Sequence, residues 1–277
     1  MIKVTIDPGH DEKSNVSPTV RGYIEGVQMY KLAGFLAAEL NARGITTEVT
    51  RKKITDDPAI AERGKLAAKN GSAMFISLHS NAPCADKNGK FDGTITGSCI
   101  YYSMTDAANK AFADKLGAAV AKCMGHKYRG SLTRRYSAQR PDLDYYGVIR
   151  NAAQNGCRAA FLVEHGFHTN SKDAAFLMSD KNLRALAAAE AEVIAEHFGV
   201  KPANKVMYTV QCGAFADKSN AEMYAEKIRR AGFAAMVVKI GKLYRVQTGA
   251  FAARGNADNY VKALKKSGFS TVIVVAK

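Results

Sequence analysis

Long apolar runs are missing from this 277-residue chain. No stretch approaches the roughly 18–20 apolar residues that cross a bilayer, so no membrane span is expected. No secretory leader is expected either. Met1 runs straight into a strand-like segment, residues 2–6, without a basic start, an apolar stretch and a small-residue cleavage site. The expectation is synthesis in the cytoplasm without a signal peptide. Cysteines are few and scattered: Cys84, Cys99, Cys123, Cys157 and Cys212. They form no C-x-x-C pair, so neither a disulfide framework nor a thiolate zinc site is indicated. Acidic residues are scarce beside basic ones, 25 against 40, which leaves a net charge of +15. Such a chain is drawn to polyanions, and charge alone does not choose among nucleic acid, anionic lipid and anionic wall polymers.

What is present is enough apolar material, 47% of residues, for a core in one or two domains. The first 200 residues alternate strand and helix signals. Strands are predicted over 2–6, 45–50, 73–78, 99–103 and 159–163. A helix is predicted over 25–43, where Val27, Leu32, Phe35, Leu36 and Leu40 recur at helical spacing and Gly44 supplies the stop. Asp57-Pro58 reads as an N-cap followed by proline in the first turn of a helix reaching residue 70. Further helices are predicted over 107–124 and 183–198. This alternation argues for an open mixed β-sheet with helices on both faces. In such sheets functional groups gather at the carboxyl ends of strands. His10, His79 and Glu164 each fall at a predicted strand end.

His10 follows Asp7-Pro8-Gly9, three residues that could simply make a turn. Glu25 opens the first long helix, and His79 sits in FISLHSNA. Two histidines and a glutamate form a known three-ligand catalytic zinc set with a position left for water. The three come from separate elements, so spacing does not single them out, and His79 could merely cap a buried strand. Glu164, in FLVEHGFHTN, ends a very apolar strand, where an unpaired carboxylate is costly. Either a positive group satisfies it, or it takes a proton from water and passes it to a leaving nitrogen. His126 and His197 read as surface residues. Residues 131–152 mix arginine, tyrosine and aspartate without periodicity, as a substrate-binding loop or a solvated one would.

The polar, proline-containing GVKPANK marks a boundary. The division is residues 1–198, a linker at 199–204, and a tail at 205–277. The tail repeats itself: YTVQCGAF at Tyr208 and YRVQTGAF at Tyr244 stand 36 residues apart. Each copy reads strand, helix, strand, so two copies give a small α+β βαββαβ domain of ferredoxin-like plan. It holds 13 basic against 4 acidic residues, so more than half of the excess charge lies in about a quarter of the chain. Gln211, Phe215, Tyr244 and Gln247, with the basic residues, could form a sheet-face platform for sugars. Alternatively Phe215 and Phe251 belong to the core under the helices. RNA-recognition domains share this plan, but their signature is missing, and no nucleic-acid partner is expected.

Taken in order, TIDPGH, a glutamate at the next helix start, FISLHSNA and FLVEHGFHTN resemble the zinc-dependent N-acetylmuramoyl-L-alanine amidases of bacteria and phages. Ala61, Glu62, Arg63, Ala67 and the later GSCIYYS fit the same pattern, over residues 1–198. The resemblance implies one Zn²⁺ per chain on His10, Glu25 and His79, and Glu164 as catalytic carboxylate. It implies cleavage of the amide between the lactyl group of N-acetylmuramic acid and L-alanine. RAAFLVE departs from the usual PAVLVE by placing Arg158 before the strand. His165 and His168 match no ligand position, and His165 should turn to the alternate face. The repeated VQxGAF resembles the SPOR domain, a peptidoglycan-binding module preferring glycan strands stripped of stem peptides. Glycan strands and stem peptide are then the partners, while nothing fixes an oligomeric state. Two alternatives are an inactive wall-binding or regulatory protein and a zinc peptidase on the stem peptide. An enzyme without a leader would reach the wall after lysis or membrane breach, as a phage endolysin or a mother-cell enzyme of sporulation would.

Overall fold

Residues 1–200, 207–251 and 254–276 are described by the computed structural model. Of the expected linker, residues 201–204 lie outside that range. Contacts divide the chain into two units, Met1–Pro202 and Ala203–Lys277.

In the first unit, side-chain alternation along the strands decides what goes where. Its elements are β1 (Lys3–Pro8), α1 (Glu25–Ala42), β2 (Thr46–Val49), α2 (Ile60–Lys69), β3 (Met74–Asn81), β4 (Ser98–Tyr102) and α3 (Asn109–Met124). Then follow β5 (Tyr128–Leu132), α4 (Gly147–Gln154), β6 (Ala160–Phe167), α5 (Ser171–Leu177) and α6 (Asp180–His197). The sheet order is β2-β1-β3-β6-β4-β5. β2, β1, β3 and β6 run parallel, β4 is antiparallel to β6, and β5 is parallel to β4. Val4, Ile6, Ile76 and Val163 point to one face, where Leu32, Leu36 and Leu40 of α1, Leu116 of α3 and Leu186 of α6 cover them. Phe75 and Leu162 point to the other, against Ala67 of α2 and Val148, Ile149 and Ala152 of α4. Each such buried aliphatic or aromatic side chain contributes about 1.5–3 kcal/mol. The sheet is therefore mixed and covered on both faces, as expected.

Several elements differ from expectation. α2 starts at Ile60 with Ala59 before it, not at Asp57. The Asp57 carboxylate instead accepts from Arg63 Nη2 at 2.9 Å. β3 runs on past His79, and β6 past Glu164. β5, α4 and the seven-residue α5 were not foreseen. His126 is not a surface residue: its ring is buried and bonds to Asp173 at 3.2 Å.

The second unit is β7 (Met207–Phe215), α7 (Lys218–Arg230), β8 (Met236–Ile240), β9 (Leu243–Phe251), α8 (Arg254–Lys266) and β10 (Val272–Ala276). They give an antiparallel sheet of order β10-β7-β9-β8. Val210, Cys212 and Val246 meet Ala221 and Ile228 of α7 and Ala257 and Leu264 of α8. The repeat has a packing cause. A Cβ on Gly213 would lie 3.0 Å from the Phe215 ring, and one on Gly249 would lie 2.8 Å from Phe251. Each phenylalanine in turn packs on its helix tyrosine, Phe215 on Tyr224 and Phe251 on Tyr260, with ring centres 5.5 and 5.1 Å apart. The recurring Gly, Phe and Tyr thus form one packed unit in each copy.

Candidate metal and catalytic site

β1 ends in a turn that two buried arginines hold. Arg63 Nη1 donates to the Pro8 carbonyl at 2.9 Å and to Asp7 at 3.2 Å, and Nη2 donates to the His10 carbonyl at 3.1 Å. Arg51 Nη1 reaches the Gly9 carbonyl at 3.5 Å and donates to the Gly26 carbonyl of α1 at 2.9 Å, tying the turn to that helix. His10 itself sits at φ 60°, a left-handed conformation costing a non-glycine residue roughly 1–2 kcal/mol. These anchors offset that strain. Close approach also dictates two glycines. A Cβ on Gly9 would meet the His79 ring at 2.3 Å, and one on Gly26 the Asp11 carbonyl at 1.6 Å.

The turn brings His10 beside Glu25 at the start of α1 and His79 on β3. One donor atom from each lies within 4.8 Å of the others. Glu25 is fully buried, while the His10 and His79 side chains keep 36% and 14% of their exposure. Glu25 Oε1 lies 3.1 Å from His79 Nδ1 and 3.5 Å from His10 Nε2, and accepts from the Ser80 amide at 2.8 Å. Asn15 Nδ2 donates to Glu25 Oε2 at 2.7 Å and reaches His10 Nε2 at 3.1 Å. Burial alone would raise the Glu25 carboxyl, but the His79 hydrogen bond and the charges of His79 and His10 hold it below the usual range. Behind this set, His79 Nε2 meets Ser77 Oγ at 3.1 Å, and Ser77 donates to Asp7 at 2.7 Å. That chain turns Nδ1 toward Glu25, a supporting arrangement usual behind metal-binding histidines.

Glu164 stands opposite His79 in the β3–β6 register, on the face that carries α2 and α4. It is 8% exposed, and its Oε2 has no hydrogen-bond partner. Burial pushes its carboxyl up to about 7, against the attraction of His79. No basic side chain pairs with it among the described residues. His165, one residue on, points to the opposite face, where Nε2 meets Glu190 of α6 at 2.8 Å and Nδ1 the His79 carbonyl at 2.9 Å. The groups around Glu25 leave no pattern in the sequence: Asn15, Ser80, and His168, whose Nδ1 lies 3.7 Å from Glu25 Oε2 and 3.1 Å from Ser80 Oγ. A cavity of about 380 Å³ opens at His10 and His79, walled by Ile60, Arg63, Tyr146 and Leu162.

In the tail, Gln211 and Gln247 pair across β7 and β9. They lie on the face away from Val210 and Val246, and Gln211 Oε1 is 3.5 Å from Arg245 Nη1. Phe215 and Tyr244 pack instead against the core beneath the helices.

A catalytic-type His-Glu-His set and an unpaired carboxylate on a mixed α/β sheet define a class of hydrolytic site. Residues 4–196 match the N-acetylmuramoyl-L-alanine amidase family, and the chain belongs to it; residues 205–275 match the SPOR domain. The chain is 28% identical over 240 residues to N-acetylmuramoyl-L-alanine amidase CwlM of Bacillus licheniformis, covering 86% of this chain and 85% of the relative. It is 28% identical over 243 residues to the sporulation-specific N-acetylmuramoyl-L-alanine amidase of Bacillus subtilis (strain 168), with the same coverage. Among solved structures it resembles Cwp6 from Clostridium difficile, with 26% identity and a TM-score of 0.61. The match takes in 70% of this chain but only 29% of Cwp6. It also resembles the catalytic domain of the amidase CwlV from Bacillus (Paenibacillus) polymyxa var. colistinus, with 25% identity and a TM-score of 0.58. That match takes in 73% of this chain and the whole of the other.

Proposed function

We propose that this chain hydrolyses the peptidoglycan amide between the lactyl group of N-acetylmuramic acid and L-alanine, contributing to cell-wall lysis. One Zn²⁺ would be held by His10, Glu25 and His79, with Glu164 as proton carrier. The donor chemistry fits: two imidazole nitrogens and a carboxylate oxygen converge from three elements. Zinc at such a site supplies Lewis acidity and lowers the pKa of water bound to it.

The observation that carries the reading is Glu164, a buried carboxylate with an unpaired oxygen beside that donor set. Burial favours the protonated form of this carboxyl, so it can hold a proton between the two halves of the reaction. Glu164 would accept a proton from the attacking water and return it to the alanine nitrogen as the C–N bond breaks. Ser77 and Asp7 would fix the His79 ring, and Asn15 and the Ser80 amide would fix Glu25. Residues 1–198 would carry this chemistry and 205–277 would hold the enzyme on glycan strands. Gln247, half-buried beside Arg245 on the sheet face away from the helices, is the better-placed sugar contact of the four expected, while Gln211 is only 6% exposed.

The test is digestion of purified peptidoglycan with and without a chelator, with mass spectrometry of the products. The expected result is chelator-sensitive release of peptides with an L-alanine amino terminus from intact glycan. Cuts within the stem peptide would make it a peptidase, and no release at all would leave a binding protein.

A further inference from the structure

A second cavity, of about 320 Å³, opens over β4 and the far end of β6. On β6, Leu162 lines the first cavity and Phe167 the second, with Glu164 between them. Asn81, Cys99 and Tyr101 form more of its wall, and Lys127 and Arg129 stand at its rim. Cys99 faces Glu164 in the β4–β6 register. Burial pushes the Cys99 thiol up to about 12, with Glu164 raising it further and Arg129 lowering it.

Arg129 is placed rather than loose. Gly97, at φ 113°, brings the chain so close that a Cβ there would sit 3.0 Å from Arg129 Cγ. The arginine stem therefore lies along Gly97, and its guanidinium stands 5.5 Å from the centre of the Phe167 ring. One of its five N–H donors reaches the Thr96 carbonyl at 3.3 Å. Among the described residues no carboxylate pairs with Arg129 or Lys127. A planar donor fork with spare N–H groups matches a carboxylate.

We propose that this cavity is a subsite for a free carboxylate on the peptide side of the scissile amide, with Arg129 as its direct contact and Lys127 as a supporting charge. The proposal rests on the amidase reading. The first cavity, at the metal-site histidines, then takes the muramoyl side, and Glu164 stands at the junction where the amide nitrogen leaves. An acidic stem peptide is selected over an amidated one, and a single charged contact of this kind supplies about tenfold or more.

The experiment uses the full-length, zinc-loaded enzyme and two soluble probes. One is N-acetylmuramoyl-L-alanyl-D-glutamate, and the other is the same molecule with both glutamate carboxylates amidated. Wild type is expected to favour the acid at least about tenfold in kcat/KM, with the difference in KM. In Arg129→Gln the ratio is expected to fall to within about twofold of one. Both probes are measured on the same preparation, so a loss of folded enzyme cancels from the ratio. A wild-type ratio near one, or a ratio unchanged in Arg129→Gln, overturns the subsite and leaves the amidase reading standing. Cleavage of neither probe overturns both.

Discussion

Glu25 and Glu164 are carboxylates withdrawn from water at the same end of one sheet, and they are treated in opposite ways. Glu25 has the Ser80 amide, Asn15 and His79 around its oxygens, and is held below the usual carboxylate range. Glu164 has an oxygen with no partner and is pushed up to about 7. A buried polar group normally finds its hydrogen bonds, because leaving one unmade costs roughly 1–3 kcal/mol. The difference separates two jobs. In the proposed reaction, hydrogen bonds that favour the anion would make Glu25 a fixed donor for a cation, and their absence would leave Glu164 able to change its protonation state.

The largest effect should come from breaking the fixed half. His79→Ala removes a donor atom and the partner that keeps Glu25 anionic. It is expected to weaken zinc binding beyond the roughly 10–100-fold typical of changes behind a metal site, and to abolish hydrolysis. Metal analysis after dialysis, beside a muropeptide assay, checks both; full zinc content in the variant would remove His79 from the ligand set. Next comes the mobile half. Glu164→Gln is expected to keep its zinc and lose about 10²- to 10⁴-fold in kcat, the range for a general acid–base group. Turnover within a few-fold of wild type would assign Glu164 to structure.

The same contrast explains what could be read from sequence. His10, His79 and Glu164 were legible only as polar residues interrupting apolar strands, and it was the family resemblance that joined them into one set. Glu25 was legible as the residue opening α1, and its place in the set came from the resemblance alone. The groups that make Glu25 different from Glu164 were not. Asn15 is an isolated polar residue in a loop, and Ser80 acts through its backbone amide, so neither leaves a pattern. β5 lies at the sheet edge with no fully buried side chain, and α5 is too short for periodicity. Asn170 caps α5 by accepting from the Lys172 and Asp173 amides, a feature seen only once the helix is located. α4 hid within a basic, aromatic stretch, although Val148, Ile149 and Ala152 supply its buried face. His126 was misjudged because its partner, Asp173, lies 47 residues away.

A smaller effect should appear in the stability of the metal-free protein. Glu25, depressed in the folded state, contributes stability that is present above its unfolded pKa of about 4.5 and is lost as pH falls through the folded value. Glu164 has the opposite sign. Between about 4.5 and about 7 the folded state keeps a proton that the unfolded chain has released, so stability drops as pH rises through that window. Glu164→Gln lacks this loss. Urea unfolding in chelator from pH 4.5 to 8 should show wild type losing on the order of 2–3 kcal/mol relative to the variant. Parallel curves would mean that the Glu164 carboxyl is not shifted by burial.

The smallest effect tests whether Asn15 accounts for part of the contrast. Its amide donates to Glu25 Oε2 at 2.7 Å, and its backbone lies at φ 59°, a conformation that asparagine tolerates better than most residues. Two substitutions separate those roles. Asn15→Gly removes the amide and keeps the left-handed backbone available. Asn15→Ala removes the amide and adds a strain of roughly 1–2 kcal/mol. If the amide holds Glu25 in place, both variants should bind zinc about tenfold more weakly, the lower end for a group behind a ligand. Both should lose thermal stability in the metal-free state with the hydrogen bond to Glu25, and the alanine variant should lose more, through backbone strain. Competition with a chromogenic chelator gives the affinities and calorimetry gives the stabilities. If the glycine variant binds zinc as wild type does, the Ser80 amide and His79 suffice to hold Glu25, and Asn15 serves only the turn.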